Sequence, residues 1–256
     1  MSIKINNVSF KYDKRAKTNT LENINLDIKD GSINVLLGLN GCGKTTLLKL
    51  LAGLEKPLEG TIKYNDKELS KISIKDRSKT FAYVPQHSYV VGDIPVYDYL
   101  LFGLTNTLEF YQRPKEKEMQ KVHEIAKRLN IEDLLDKNIG EVSGGERQKI
   151  FIACALLQDT DIILLDEPTS ALDIKNQNIV LSLLKEISKE GKTIIFSSHN
   201  PNHALFLDSN VILMNKGNIA TTGAAKELIR VDKLVSIYGE HVCYSKELGY
   251  DEISFK

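Results

Sequence analysis

Gly38-Leu39-Asn40-Gly41-Cys42-Gly43-Lys44-Thr45 decides how the rest of this chain is read. The stretch fits a phosphate-loop pattern: Gly, four free positions, Gly-Lys, then Ser or Thr. Ahead of it, Ile33-Asn34-Val35-Leu36-Leu37 reads as a short buried strand. Behind it, Thr46-Leu47-Leu48-Lys49-Leu50-Leu51-Ala52 reads as a helix. Glycines let backbone N–H groups turn inward around phosphate oxygens, and a helix N-terminus adds partial positive charge. Lys44 would reach the β- and γ-phosphates, and the Thr45 hydroxyl would help hold Mg²⁺. A Gly-rich turn closing a βα unit would not need all of these constrained positions in a strand–turn–helix context.

Working outward, Ile3 to Phe10 alternates apolar and polar residues, as a half-solvated antiparallel strand does. Leu21 to Ile28 alternates again, and Thr61 to Tyr64 is a further short strand. Phe81-Ala82-Tyr83-Val84 is strand-like and stops at Pro85, which cannot donate to a ladder. The pattern is then mainly helical: Tyr97 to Leu104 is apolar, and Lys115 to Leu129 sets Met119, Val122, Ile125, Ala126 and Leu129 on one helical face. Residues 88–160 thus read as a helical insert with its own small core. Asp161 to Asp166 is a continuous apolar run ending in an acid, suited to a central parallel strand buried on both faces. A helix over Lys175–Glu190, a strand Thr193–Ser197, a helix Pro201–Leu207, a strand Val211–Met214 and two short helical stretches complete the expected order. The pattern predicts an α/β fold: a mostly parallel sheet covered on both faces, with an antiparallel β subdomain and a helical subdomain.

Composition narrows the class. The chain has 256 residues, 42% hydrophobic and 27% charged, as in an ordinary globular protein of one large domain or two small lobes. Lys+Arg and Asp+Glu both number 34, so no basic surplus points to nucleic acid. No apolar run approaches the ~18 residues of a membrane span, and no signal core opens the chain. Cys42, Cys154 and Cys243 are widely spaced, which argues for a reducing compartment and against a disulfide frame. The expectation is a cytoplasmic protein whose membrane role, if any, runs through a partner.

Asp166-Glu167 ends the driest strand. A carboxylate there is costly to desolvate unless a cation compensates it, and nucleotide-bound Mg²⁺ is the natural compensator. Strand ends are also where open α/β sheets bind ligands. Asp166 is therefore expected in the magnesium shell through water, and Glu167 is expected to polarise the attacking water; the rival is a helix-capping Asp with a solvated Glu beside it. Ser143-Gly144-Gly145-Glu146 forms a capping-box pattern before an apolar helix and offers a second anion-facing end. An ordinary capped helix shares that geometry. Two phosphate-facing helix ends in one chain hint that two chains share nucleotides. His199 and His203 stand four apart, but Pro201 between them starts a helix and leaves His199 in the loop, which argues against a metal pair. Cys42 has no expected catalytic role, though a thiol in a phosphate nest could be sensitive to alkylation.

With these residues in view, the chain resembles the nucleotide-binding subunit of an ATP-binding cassette (ABC) transporter over essentially its whole length. The fold implied is that of a RecA-like P-loop NTPase. It would be a single domain over 1–256, with residues 1–87 holding the β lobe and Walker A part, 88–160 the helical subdomain with the signature, and 161–256 the Walker B part and C-terminal segment. Gly38 to Thr45 resembles Walker A, and Ile162 to Glu167 resembles Walker B. Val142-Ser143-Gly144-Gly145-Glu146 resembles the signature, with Val for the usual Leu and Glu for the usual Gln. Gln86 matches the glutamine that senses Mg²⁺ and the membrane subunits, and Ser170-Ala171-Leu172-Asp173 resembles the D-loop. His199 matches the switch histidine at the γ-phosphate. Tyr12 stands where the family stacks an aromatic on adenine, although a strand-end aromatic would look the same.

The resemblance implies nucleotide contacts from Tyr12, Gly38, Asn40, Gly41, Cys42, Gly43, Lys44, Thr45, Thr46, Ser143, Gly144, Gly145, Glu146 and Asp173. It implies metal contacts from Thr45, Gln86 and Asp166, catalytic roles for Glu167, His199 and Gln86, and ATP with Mg²⁺ as cofactors. The implied partners are a second copy of this subunit, integral membrane permease subunits and, through them, a substrate-binding protein, at the inner face of the cell membrane. Leu172 to Gln177, Ser198 to Ala204 and the segment from Glu227 to Gly239 look like the importer branch for iron chelates, haem, cobalamin and related metal oxyanions. The alternatives are a soluble ABC ATPase of iron–sulfur assembly and the ATPase of an exporter. A groove for a permease helix is expected near Gln86–Phe102, from Tyr89, Val90, Val91, Ile94, Tyr97 and Tyr99, unless these residues fill the helical core.

Overall fold

The computed structural model describes residues 2–86, 93–106, 114–230, 234, 235, 238, 242–245 and 252–255. In chain order the strands and helices are β1 (Ser2–Phe10), β2 (Leu21–Lys29), β3 (Ile33–Leu37), α1 (Lys44–Leu51), β4 (Glu59–Tyr64), β5 (Lys67–Glu68), α2 (Ile74–Thr80), β6 (Phe81–Val84), α3 (Val96–Leu101), α4 (Glu116–Arg128) and α5 (Gly144–Leu157). Then come β7 (Ile162–Asp166), α6 (Ile174–Lys189), β8 (Thr193–Ser198), α7 (Pro201–Leu207), β9 (Asn210–Asn215), β10 (Asn218–Ala224), α8 (Ala225–Leu228), β11 (Val242–Ser245) and β12 (Glu252–Phe255).

A six-stranded sheet in the order β10-β9-β3-β8-β7-β6 forms the centre, parallel except for β10, which runs antiparallel along β9. Its strands are dry on both faces because their apolar runs have no polar alternation: every residue of β3, β7 and β8 is buried. Val35, Leu37, Ile163, Leu165, Ile194 and Phe196 point to one core, shared with α3 to α7. Leu36, Ile162, Leu164, Ile195, Ile212 and Met214 point to the other, shared with α1 and the antiparallel lobe β2-β1-β4-β5. Each such side chain contributes roughly 1.5–3 kcal/mol on burial. The alternation therefore pins strand register, since a slip by one residue would exchange the two cores.

Three expectations are corrected. The helical insert does not close on a core of its own: Val96, Leu100, Val122, Ile125 and Ile150 belong to the same cluster as Val35 and Phe196. Beyond Asn218 the chain forms an edge strand before the short α8, where helical stretches alone were expected. That strand, Asn-Ile-Ala-Thr-Thr-Gly-Ala, has only small or polar side chains opposite its half-buried ones and so shows no hydrophobic period. The β11–β12 hairpin was likewise not foreseen.

Of the groove residues, Tyr89, Val90 and Val91 lie outside the described residues. Tyr97 and Tyr99 are half-buried against the core that the helices share with the sheet, and Phe102 is exposed. In the antiparallel lobe the β1–β2 register shifts near Asn7 and Asn23, which both adopt left-handed backbone. Asn tolerates that conformation better than most residues.

Candidate functional site

Register brings the chemistry to one sheet edge. Leu37 pairs with Ser198, and Asp166 with Ser197. The phosphate loop, Asp166-Glu167 and His199 therefore leave adjacent parallel strands at the same end. Val84 pairs with Leu165, so Gln86 emerges beside them. A cleft of about 410 Å³ opens there, lined by Thr20, Asn40, Gly41, Gly43, Lys44, Thr45, Thr46, Gln86 and Glu167. A larger groove of about 550 Å³ lies between the antiparallel lobe and the β9 edge. Among the described residues, none of that groove's charged side chains forms an ion pair and none of its buried polar atoms lacks a partner.

The loop's glycines answer to space. A Cβ on Gly38 would come within 2.4 Å of the Met214 carbonyl and 2.7 Å of Cys42 Sγ. One on Gly43 would meet Leu21 Cδ2 at 2.5 Å, and Gly43 itself has φ of 104°. Gly43 is also the N-cap of α1 and supplies no side-chain cap, which leaves the first-turn N–H groups to the cleft. A Cβ on Gly41 would meet nothing within 4 Å, so the loop is open towards the cleft there.

Lys44 is buried and turned back on its own loop. Its Nζ donates to the carbonyls of Gly38 at 2.8 Å and Leu39 at 3.2 Å, and lies 3.7 Å from Glu167 Oε1. Glu167 is a hub. Gln86 Nε2 donates to its Oε2 at 3.2 Å, and His199 Nδ1 lies 3.5 Å from the same oxygen. The Glu167 backbone is left-handed, with φ of 46°, a conformation that costs a non-glycine residue about 1–2 kcal/mol. It is held there by its N–H donating to Ser197 Oγ at 2.8 Å and by Ser170 donating to its carbonyl through both N–H and hydroxyl.

Asp166 is 1% exposed. Its Oδ1 accepts from Ser197 Oγ at 2.6 Å, whereas its Oδ2 is buried with no hydrogen-bond partner. A lone buried acceptor costs about 1–3 kcal/mol, more when charged. A hard cation or its water is what this oxygen fits. Asp166 lies behind Glu167, which lines the cleft together with Thr45 and Gln86, and these two add the neutral oxygens that Mg²⁺ prefers. The donor set of one carboxylate with neutral oxygens thus fits magnesium held together with phosphate oxygens; no group of three or more His, Cys, Asp or Glu side chains gathers among the described residues.

Tyr12 is 56% exposed, stacks edge-on against Phe10, and its hydroxyl lies 3.3 Å from Thr46 Oγ1. Its ring is thereby presented at the mouth of the cleft. Cys42 is buried, and burial pushes its thiol up despite nearby Lys44, so its chemistry is muted. His203 is buried beneath His199's loop and packs its ring nitrogens against Ser198 Oγ at 3.0 Å and Gln177 Oε1 at 3.4 Å. Burial, helped by His199, lowers it to about 4.

The signature residues line no part of the cleft. Ser143 caps α5: Glu146 N donates to Ser143 Oγ at 3.3 Å while Ser143 N donates to Glu146 Oε2 at 2.8 Å. The Glu146 carboxylate is therefore folded back on the cap, and a Cβ on Gly144 would meet nothing within 4 Å. Asp173 also works as a cap, accepting from Asn176 N at 2.7 Å at the start of α6. Two participants escaped the sequence reading. Ser197 braces both Asp166 and Glu167, and Thr20 lines the cleft. The one sequence signal for Ser197 is its place at the polar end of an otherwise apolar strand.

Comparison with known proteins agrees with this geometry. Residues 21–170 match the model of the ABC transporter family. A Helicobacter pylori protein named for iron chelatin transport ATP-binding is 37% identical over 216 residues, covering 84% of each chain. The iron(3+)-hydroxamate import ATP-binding protein of Bacillus subtilis is 32% identical, covering 85% of this chain and 81% of its own. Among solved structures, an inward-facing metal-chelate type ABC transporter superposes with a TM-score of 0.81 at 29% identity, covering 100% of this chain and 96% of the other. The family match spans more than half the sequence and includes the phosphate loop, the signature and Asp166-Glu167; this chain belongs to the ABC transporter family and is an ABC transporter ATPase.

Proposed function

We propose that this chain is the ATP-hydrolysing subunit of an importer that takes up an iron chelate, haem, cobalamin or a related metal compound, working as a pair with a second copy and docked on membrane permease subunits. The observation that carries the ATPase assignment of residues is the convergence of Lys44, Gln86 and His199 on Glu167 above an uncapped helix end. The importer assignment is supported by relatives named for iron chelatin transport and iron(3+)-hydroxamate import.

In this reading Lys44 exchanges its carbonyl partners for the β- and γ-phosphate oxygens. That exchange removes the cation beside Glu167 and frees its carboxylate to orient the attacking water. His199 stands by the same carboxylate and contacts the γ-phosphate. Gln86, hydrogen-bonded to Glu167, reports on the occupancy of the cleft. Thr45, Gln86 and Asp166 would hold Mg²⁺, which when bound neutralises charge on the β- and γ-oxygens. Tyr12 packs on the base. Ser143, Gly144 and Gly145 serve the nucleotide of the second copy, because in their own chain they lie off the cleft. Glu146 and Asp173 keep the ends of α5 and α6 in shape for that contact.

No described helix is long and apolar enough to cross a membrane, so attachment to the inner face of the cell membrane would run through the permease. Exposed Phe102, whose ring meets that of Tyr99, and half-buried Ile94 belong to the face proposed to receive it. Co-purification tests the reading. The protein should hydrolyse Mg-ATP and be recovered with a polytopic membrane protein, and in vesicles a ferric chelate delivered by a binding protein should accelerate hydrolysis. Recovery with soluble iron–sulfur scaffold proteins, or chelate movement in the outward sense, would replace it with one of the alternatives.

A further inference from the structure

Tyr83 lies on β6 opposite Leu164, and its ring packs into the same core as Leu164 and α1. Side chains alternate along β7, so Asp166, two residues beyond Leu164, turns to that same face. Same-face residues offset by two across neighbouring strands are within reach of an aromatic side chain. Two partnerless polar atoms belong to residues on this face. The Tyr83 hydroxyl is buried with no hydrogen-bond partner, and so is Asp166 Oδ2. Burial and then the Asp166 carboxylate both push the phenol up, with a smaller contribution from Tyr12. A phenol donor and a carboxylate acceptor on one face would bond directly if they could touch; with neither bonded, more than a hydrogen-bond length separates them.

A gap walled by buried polar groups is what an ordered water occupies, and each orphaned group otherwise costs about 1–3 kcal/mol. Resting on the nucleotide-site reading above, we infer that Tyr83 is a positioning residue for the cation: its hydroxyl and Asp166 Oδ2 hold between them one water of the magnesium shell. The phenol is suited to this. It is rigid, anchored by its ring in the α1 core, and its hydroxyl can donate to or accept from a water without adding charge beside Asp166.

The test uses Mn²⁺ as the metal and AMP-PNP as the nucleotide, with the full chain as wild type, Tyr83→Phe and Asp166→Asn. Metal binding is followed by electron paramagnetic resonance, nucleotide binding in EDTA by calorimetry, and the ligand-free fold by thermal melting. Tyr83→Phe should weaken Mn²⁺ binding to the AMP-PNP-loaded protein about threefold to tenfold, the loss expected of one hydrogen bond. It should leave metal-free AMP-PNP binding unchanged, and the ligand-free protein should melt at the same temperature or higher, since an orphaned hydroxyl has been removed. Wild-type metal affinity in Tyr83→Phe, or a lower ligand-free melting temperature, overturns the inference while leaving the site reading intact. If Asp166→Asn also binds Mn²⁺ as wild type does, the nucleotide-site reading itself fails and takes this inference with it.

Discussion

The two glycine-flanked helix starts, at α1 and at α5, look alike as sequence and differ as structures. At α1 the cap is Gly43, which brings no side chain to the first-turn N–H groups, and the helix opens into a cleft walled by Lys44, Gln86 and Glu167. At α5 the Ser143–Glu146 box takes up the N–H groups of Ser143 and Glu146, and neither residue lines the cleft. The first end leaves its first-turn N–H groups without a side-chain cap beside that cleft. The second is a capped helix terminus with Gly144 exposed and Gly145 half-buried, which in the proposed pair would face the other copy's nucleotide. A helix N-terminus is thus a binding site only to the extent that the chain leaves it unsatisfied.

The sharpest way to break that contrast is at Glu167, the hub of the first region. Glu167→Gln should cut single-turnover hydrolysis by about 100-fold or more, as loss of a group that orients and activates water does. It should leave ATP binding nearly intact, so an ATP-bound dimer should accumulate on gel filtration. Hydrolysis at the wild-type rate would remove Glu167 from the role proposed for it.

Acid should separate the two regions. His203, under the Ser198–His199 turn, is lowered to about 4 by burial, so the unfolded chain takes up a proton near pH 6.5 that the folded one refuses. The stability it protects is complete above pH 6.5 and is lost as the pH falls towards 4, by on the order of 3 kcal/mol. Glu146 is held below its usual range by the Ser143 hydroxyl and backbone N–H, so the α5 cap weakens only as the pH falls below about 4.5. Denaturant titrations across this range should show the His203 phase first, and His203→Gln should flatten it.

Lys44→Ala addresses the open end alone. Removing a cation that hydrogen-bonds charged phosphate should weaken ATP binding by about 1.5–3 kcal/mol, or roughly 10- to 100-fold by calorimetry. The smallest effect is expected at the satisfied end. Ser143→Ala should cost about 1 kcal/mol of stability and leave ATP binding to the separate chain unchanged, while lowering the turnover that depends on the pair. A loss of ATP affinity in the separate chain would erase the distinction between the two ends.

What was legible beforehand follows from how local the cause is. The strands β3, β6 and β7 could be read within a residue because unbroken apolar runs have no other stable arrangement. The capping box at α5 was legible because both its hydrogen bonds lie within three residues. The edge strand β10 was not, since Thr, Gly and Ala carry no hydrophobic period and it forms only because β9 offers a free edge. The separate core expected for the helical insert dissolved for a related reason. Apolar periodicity shows which face of a helix is buried but not what buries it, and α4 and α5 share their core with the sheet.

At the site, the sequence alone determined the phosphate loop, its lysine and the acidic end of β7, because glycine spacing and a carboxylate after a dry run constrain backbone and charge by themselves. Only the tertiary structure decided that Ser197 would brace Asp166 and that Gln86, Lys44 and His199 would meet on Glu167. Those contacts join residues between 31 and 123 positions apart in the chain. They exist because parallel strands from distant segments align their ends in register, and register is a property of the packed sheet.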